Sequence, residues 1–340
     1  MKRRTFFNNL LGAAAGLGLG SCTSGSDGNA TDRATRLLER NSFSFDDNHL
    51  RYYLAGLSDP LKIIQISDTH LHMDDARGEA YRIYSARMAG AYNSTVHFRT
   101  GQATNPQKSF EETLQWAVEQ QADLLALTGD IFSFPSEAAV EWAQEQLERC
   151  GIPYIYLAGN HDWHYEGMEG SMDELRAFWT AERLGGLYGG RDPLMGAVGL
   201  DGLTVLAIDN STYEINEEQL EFFRQYAAGG APLLLLLHVP LYAPGRPVGW
   251  GCGHPDWGAA SDGGYEVERR PRWPEAGHTE VTRAFYREVL QAPSVLGVLA
   301  GHVHRQSMDL IQGVPQFTAA PNATGAYILI DILPHEDGNS

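Results

Sequence analysis

Five short apolar runs in this chain each stop on a residue able to bind a metal, and that repetition constrains the fold more than any other feature. Residues 61–66 lead into Asp68 and His70, and residues 124–127 into Gly129 and Asp130. Residues 152–157, bounded by Gly151 before and Gly159 after, lead into Asn160, His161 and Asp162. Residues 233–237 stop on His238, and residues 295–300 on Gly301, His302 and His304. Runs of this length, rich in Leu, Ile and Val and without polar alternation, predict strands buried on both faces. Gly159 lets the backbone turn sharply at its strand end. Helical spacing predicts helices over 110–121, 136–150, 173–184, 217–226 and 279–291. Strands alternating with helices predict an α/β architecture, and such sheets take ligands at the carboxyl ends of their strands.

The remaining chain fits around this frame. Residues 43–45 and 50–55 predict a hairpin, residues 203–208 a strand ending on Asp209 and Asn210, and residues 316–319 and 327–332 two final strands. Residues 71–109 show no clear period, and residues 239–277 form a loop rich in Gly, Pro and Trp. Long connections of this kind inside a compact domain are usually functional or disordered. No repeat of solenoid length is present, and no long polar linker interrupts the chain after Ser42, so residues 42–340 are expected to form one domain. The formal net charge of −18 argues against a nucleic-acid surface, which needs clustered Lys and Arg, and favours solubility.

The first 22 residues are expected to be an export signal rather than part of the fold. Paired arginines Arg3 and Arg4 precede a short, weakly apolar segment, 10–19, that ends at Leu19, Gly20, Ser21 and Cys22. The arginine pair resembles a twin-arginine signal, and the segment before Cys22 resembles a bacterial lipobox whose cysteine is acylated. An ordinary cleavage site with a chance cysteine is the alternative. Residues 23–41 are polar and predict a linker. The expected location is a bacterial cell envelope, reached by export and held by a lipid anchor rather than a spanning helix. Cys150 and Cys252 are left either as a disulfide or as two thiols.

Any one Asp or His at a strand end caps a turn as readily as it binds a metal. Together, two carboxylates, an amide oxygen and four imidazoles suit Fe, Zn or Mn, and are poor for Ca or Mg, which prefer all-oxygen shells. The ordered set Asp-x-His, Gly-Asp, Gly-Asn-His-Asp, lone His and Gly-His-x-His resembles the calcineurin-like metallophosphoesterase superfamily, over about residues 61 to 332. The resemblance implies two mixed β-sheets packed as a sandwich with helices outside, a four-layer αββα arrangement. It also implies two metal ions, one held by Asp68, His70 and His304, the other by Asn160, His238 and His302, with Asp130 bridging. Two such ions about 4 Å apart acidify a bridging water and clamp attacking and leaving oxygens of a phosphate ester. Their charge outweighs the two carboxylates and a hydroxide, so the cavity attracts an anion although the chain is acidic. His161 falls outside the ligand pattern and is the expected acid for the leaving oxygen.

This chain also departs from the pattern. Ser133 stands where many members carry an acid or amide that orients the histidine, so Asp162 becomes the nearest candidate to partner His161. Failing that, His161 acts as a neutral donor. The purple acid phosphatase branch is disfavoured by His70 and Ser133. The loop 239–277 holds Tyr242, Trp250, Trp257, Tyr265 and Trp273, with Arg269, Arg270 and Arg272 as expected phosphate contacts or, alternatively, partners of Glu266, Glu268 and Glu275. His164 is a further substrate-contact candidate, whereas His72, His254, His278, Asp209 and Asn210 read as structural. The expected activity is hydrolysis of an extracellular or envelope phosphate ester. The alternatives are a cyclic-nucleotide-type phosphodiesterase and a non-catalytic metal-binding envelope module.

Overall fold

The computed structural model describes residues 42–258 and 277–335. The export-type segment with Cys22, the linker 23–41, and Tyr265, Arg269, Arg270, Arg272 and Trp273 lie outside the described residues. In chain order the first half carries β1 (Ser42–Asp46), β2 (His49–Leu54), β3 (Leu61–Ile66), α1 (Arg82–Ala91), β4 (Thr95–Val96), β5 (Ala103–Thr104), α2 (Pro106–Glu119), β6 (Leu124–Thr128), α3 (Glu137–Cys150) and β7 (Tyr154–Leu157). The second half carries α4 (Met172–Trp179), β8 (Met195–Leu200), β9 (Leu203–Ile208), α5 (Glu217–Ala228), β10 (Leu233–Leu236), α6 (Glu280–Gln291), β11 (Val295–Ala300), β12 (Ser307–Ile311), β13 (Val314–Thr318) and β14 (Ile328–Pro334).

One six-stranded sheet has the order β1-β2-β14-β3-β6-β7 and the other β12-β13-β11-β10-β9-β8. Strands β3, β6 and β7 run parallel, as do β9, β10, β11 and β13, while β14 is antiparallel to β3 and parallel to β2, and the edge strands β1, β8 and β12 pair antiparallel. Side-chain alternation along these strands explains the layering. Ile63, Leu124, Ala126, Ile155 and Leu157 of the first sheet meet Val205, Leu234, Leu236, Leu299 and Phe317 of the second in a shared core. Their neighbours Ile64, Ile66, Leu125 and Leu127 face outward onto Phe110, Leu114, Val140 and Leu147 of α2 and α3. On the far side Leu206, Ile208, Leu233 and Leu235 pack on Leu220, Phe223, Phe285 and Val289 of α5 and α6. The result is the expected helix–sheet–sheet–helix stack. Strands β10 and β11 are apolar at every position because both faces are covered.

Local chemistry sets the helix ends. The Asn105 side chain accepts from Lys108 N, and Pro106 opens α2 where its missing N–H costs nothing, so this helix starts earlier than the expected residue 110. Ser136 caps α3, and Gly151, at φ 68°, ends it in the left-handed region. Other expectations need correction. The stretch 71–109 contains α1, whose only buried residues are Ser85 and Met88, so no apolar period marks it. Residues 173–184 are not one helix, because α4 gives way at Thr180 to a π turn running to Leu184. Strands β8 and β12 were not expected; both are sheet edges, and their glycines and polar residues break the apolar pattern. Cys150 and Cys252 are both free thiols, and they pack on opposite outer faces of the sandwich. Among the described residues no helix is long and apolar enough to cross a membrane.

Candidate metal centre

The parallel strands of both sheets end at one edge, and their polar ends converge there. Among these residues, Asp68, His70, Asp130 and His304 bring one ligand atom each within 4.8 Å of one another, and so do Asp130, His238 and His302. Asp130 belongs to both groups. The Asn160 side-chain oxygen lies 3.1 Å from His238 Nε2, which adds it to the second group. Asp68, His70, Asp130 and His238 are fully buried, and His302 and His304 are half-buried.

Backbone conformation marks the same residues. Asp68, His70, Asp130, His302 and His304 have φ of 54°, 55°, 50°, 69° and 49°, in the left-handed region that non-glycine residues seldom adopt. Such conformations cost about 1–3 kcal/mol each and persist only where surrounding contacts impose them. Here Asp68 N donates to Gly129 O and His70 N to Asp130 O, both at 3.0 Å, while Asp68 accepts His302 N on both oxygens at 3.0 Å. Each turn is thus pinned by the next.

The electrostatics are those of carboxylates ringed by imidazoles. Burial pushes Asp130 up, but His238, His161 and His70 outweigh it and hold its carboxyl well below the usual range. Burial pulls His238 down, and the neighbouring Asp130, 3.3 Å away, more than reverses this and lifts it to about 9. His304 is raised in the same way by Asp68, against its burial, whereas His70 is pulled down by burial and by His304. His70 Nε2 stands 2.9 Å from His304 Nε2, and His304 Nε2 stands 3.2 Å from Asp68 Oδ1. Nitrogen lone pairs and carboxylate oxygens pointed at common centres form a donor set suited to a borderline cation. His238 is oriented for this by the main chain: Nδ1–H donates to Thr128 O at 2.9 Å and leaves Nε2 for a metal. The residues present therefore fit two ions that share Asp130.

The structure also locates His161, His164 and Asp162. His161 follows Asn160, its backbone N–H donates to Asp130 Oδ1 at 2.8 Å, and its ring lies edge-on to His70 at 5.3 Å. His164 lies one turn on, with its ring 6.4 Å from that of His161. Asp162, the expected partner of His161, bonds to the main chain through both oxygens. Its Oδ1 accepts Phe132 N at 2.8 Å and its Oδ2 accepts Gly159 N at 2.7 Å, so this buried carboxylate ties the turn after Asp130 to the turn before Asn160. Burial and the charge of Asp130 push Asp162 up to about 8, against those two amide donors. Ser133 donates to His70 O at 3.1 Å, and Asn210 accepts the N–H of His238 and Val239 at 3.0 and 2.9 Å. Both brace ligand turns. Sequence reasoning missed two tyrosines: Tyr92 hydroxyl is 2.8 Å from His304 Nδ1, and Tyr213 hydroxyl is 2.5 Å from His302 Nε2. Neither sits in a motif, and no local signal marks them.

The profile described as calcineurin-like phosphoesterase matches residues 61–306, from the start of β3 to just beyond His304. The chain belongs to this family. Membership makes the phosphoesterase a hydrolase acting on phosphoric ester bonds, and the matched span includes both donor groups. A probable cyclic nucleotide phosphodiesterase of Psychrobacter sp. is 22% identical over 286 residues, covering 76% of this chain and 74% of that protein. Another, of Synechococcus sp., is 26% identical over 194 residues, covering 55% of this chain and 60% of its own length. Among solved structures, a dimetal phosphatase from Danio rerio aligns with a TM-score of 0.47 at 11% identity, over 80% of this chain and 92% of that one.

Proposed function

We propose that the protein hydrolyses a phosphodiester, of cyclic-nucleotide type, at a centre of two metal ions. The observation that carries this reading is the pair of donor groups meeting at Asp130. Asp68, His70 and His304 would hold one ion and Asn160, His238 and His302 the other, with Asp130 common to the two groups. Ions of Fe, Zn or Mn bound there would supply an activated water and positive charge for the phosphoryl oxygens. The remaining work falls to the chain. His161, beside the first group and outside it, protonates the leaving oxygen, a role open to an imidazole near neutral pH. The bracing of each ligand turn by the next keeps the donors in place before substrate arrives, so no reorganisation is needed at the moment of reaction. The names of the relatives support a diester over a monoester.

Full-length protein supplied with Mn or Zn should turn over bis-(p-nitrophenyl) phosphate and a cyclic nucleotide faster than p-nitrophenyl phosphate. His161→Ala should retain its metal and lose about 10²–10⁴-fold in turnover. Bound metal without metal-dependent turnover on any ester would leave the non-catalytic envelope module standing instead. Export and acylation at Cys22 belong to the same proposal, supported by the Arg3–Arg4 pair and the residues before Cys22. Metabolic labelling with a fatty acid should mark the wild type and not Cys22→Ser. Arg269, Arg270, Arg272 and His164 are proposed substrate contacts, and alanine at each should raise KM more than it lowers kcat.

A further inference from the structure

We infer that Tyr92 and Tyr213 are positioning residues that decide which ring nitrogen His304 and His302 each offer to a metal ion. The inference rests on the two-metal reading above and extends it to residues that no motif contains. His302 and His304 leave one short turn, yet they serve different donor groups. Two histidines so close in sequence reach separate ions most easily by presenting different nitrogens. The two tyrosines impose that difference. Tyr92 hydroxyl occupies His304 Nδ1 at 2.8 Å, leaving Nε2, which already faces Asp68 and His70. Tyr213 hydroxyl occupies His302 Nε2 at 2.5 Å, leaving Nδ1. A hydrogen bond on one imidazole nitrogen fixes the tautomer and the ring orientation of the other.

Each tyrosine is itself held rigidly. Tyr92 follows the last residue of α1, and its ring stacks on His70 at 4.2 Å and 10°, so a single side chain touches two members of the first group. Tyr213 is reached by a left-handed backbone, φ 65°, and its ring stacks on Trp257 at 3.9 Å and 18°. Trp257 stacks in turn on His278 at 5.0 Å and 7°, and His278 Nδ1 lies 3.0 Å from Glu214. His238 takes its orientation from a main-chain carbonyl instead, so the tyrosine device is confined to the turn that serves both ions.

The test uses full-length protein stripped with chelator and titrated with Mn²⁺ by calorimetry and with Co²⁺ by visible absorption. Wild type, Tyr92→Phe, Tyr213→Phe and the control Tyr327→Phe are compared, with metal-free melting temperatures read alongside. The phenylalanine variants keep each ring and its stack and remove only the hydroxyl. Wild type and control should bind two ions. Tyr92→Phe should weaken one by about 10–100-fold and Tyr213→Phe the other, each with an altered Co²⁺ spectrum and an unchanged metal-free melting temperature. Two ions bound with wild-type affinity and spectrum by both variants overturns the inference. A variant whose metal-free melting temperature falls together with its affinity also overturns it, because the hydroxyl is then a brace for the fold. Fewer than two ions on the wild type sinks the two-metal reading itself.

Discussion

Gly159 carries no side chain because Asp130 fills the space that one would need. A Cβ at this position would stand 2.1 Å from Asp130 Oδ1 and 2.3 Å from Asp130 N. Gly301 is under the same pressure, from Ser67 Oγ at 1.8 Å and Asp68 Oδ2 at 2.5 Å. Glycines in these motifs thus serve close approach of two ligand turns. Gly159→Ala should displace the carboxylate that both donor groups share. Metal content measured by elemental analysis should fall at both sites together, with far-ultraviolet circular dichroism unchanged. Loss of one ion alone would show that Asp130 is not common to both. Asp162 poses a second test. Asparagine there keeps one acceptor and turns an NH₂ toward a backbone N–H, so Asp162→Asn should cost about 1–3 kcal/mol in urea unfolding of the metal-free protein. A cost near zero would mean that the two amides find other acceptors.

Helix α6 begins in a cluster of polar side chains that titrates. Thr279 caps it, accepting from Thr282 N, and Glu214 accepts from Thr279 N and Oγ1 at 3.2 and 3.1 Å and from Thr282 Oγ1 at 2.5 Å. Burial pushes the Glu214 carboxyl up, but the bonds from His278, Thr282 and Thr279 outweigh it and hold it below its ordinary value. A depressed acid stabilises the folded chain above its unfolded value, near 4.3, and that contribution is lost as pH falls through the folded value. Glu214→Gln should therefore lower the melting temperature at pH 7 and have a smaller effect at pH 3. An equal loss at both pH values would assign the cluster to packing. Thr279→Ala should cost about 1 kcal/mol by the missing cap.

Across the whole molecule the site lies on the seam between two sheets. Asp68, Asp130 and Asn160 follow strands of the first sheet, and His238, His302 and His304 follow strands of the second. Any ion held by members of both is a clamp across the sandwich. Behind it Gln65, buried in β3, donates to Ala300 O of β11 at 2.9 Å and to Thr128 Oγ1 at 3.0 Å, so a protein hydrogen bond already joins the sheets at this level. Metal bound to the folded chain adds stability by mass action, about 2.7 kcal/mol at a hundred times Kd. Chelation should lower the melting temperature, and added Mn or Zn should restore it in proportion to the logarithm of concentration. A melting temperature indifferent to chelator, in protein shown to bind metal, would place the ions outside the seam.

The sequence by itself determined the α/β class, the buried strands and the polar residues at their ends, because hydrophobic period and turn chemistry are local properties. Residues 233–237 and 295–300 were legible because burial on both faces leaves an unbroken apolar run, and 61–66 because only Lys62 and Gln65 interrupt theirs. Helix α1 was not legible, since it buries almost nothing on a regular face. Only the tertiary structure decided how the ends share work. Adjacency offers Asp162 to His161, and only the fold shows that both its oxygens accept amides at residues 132 and 159. Tyr92 meets His304 across 212 residues of chain and Tyr213 meets His302 across 89. Contacts at such separations are made by sheet packing, which brings strand ends together without leaving any periodic trace along the chain.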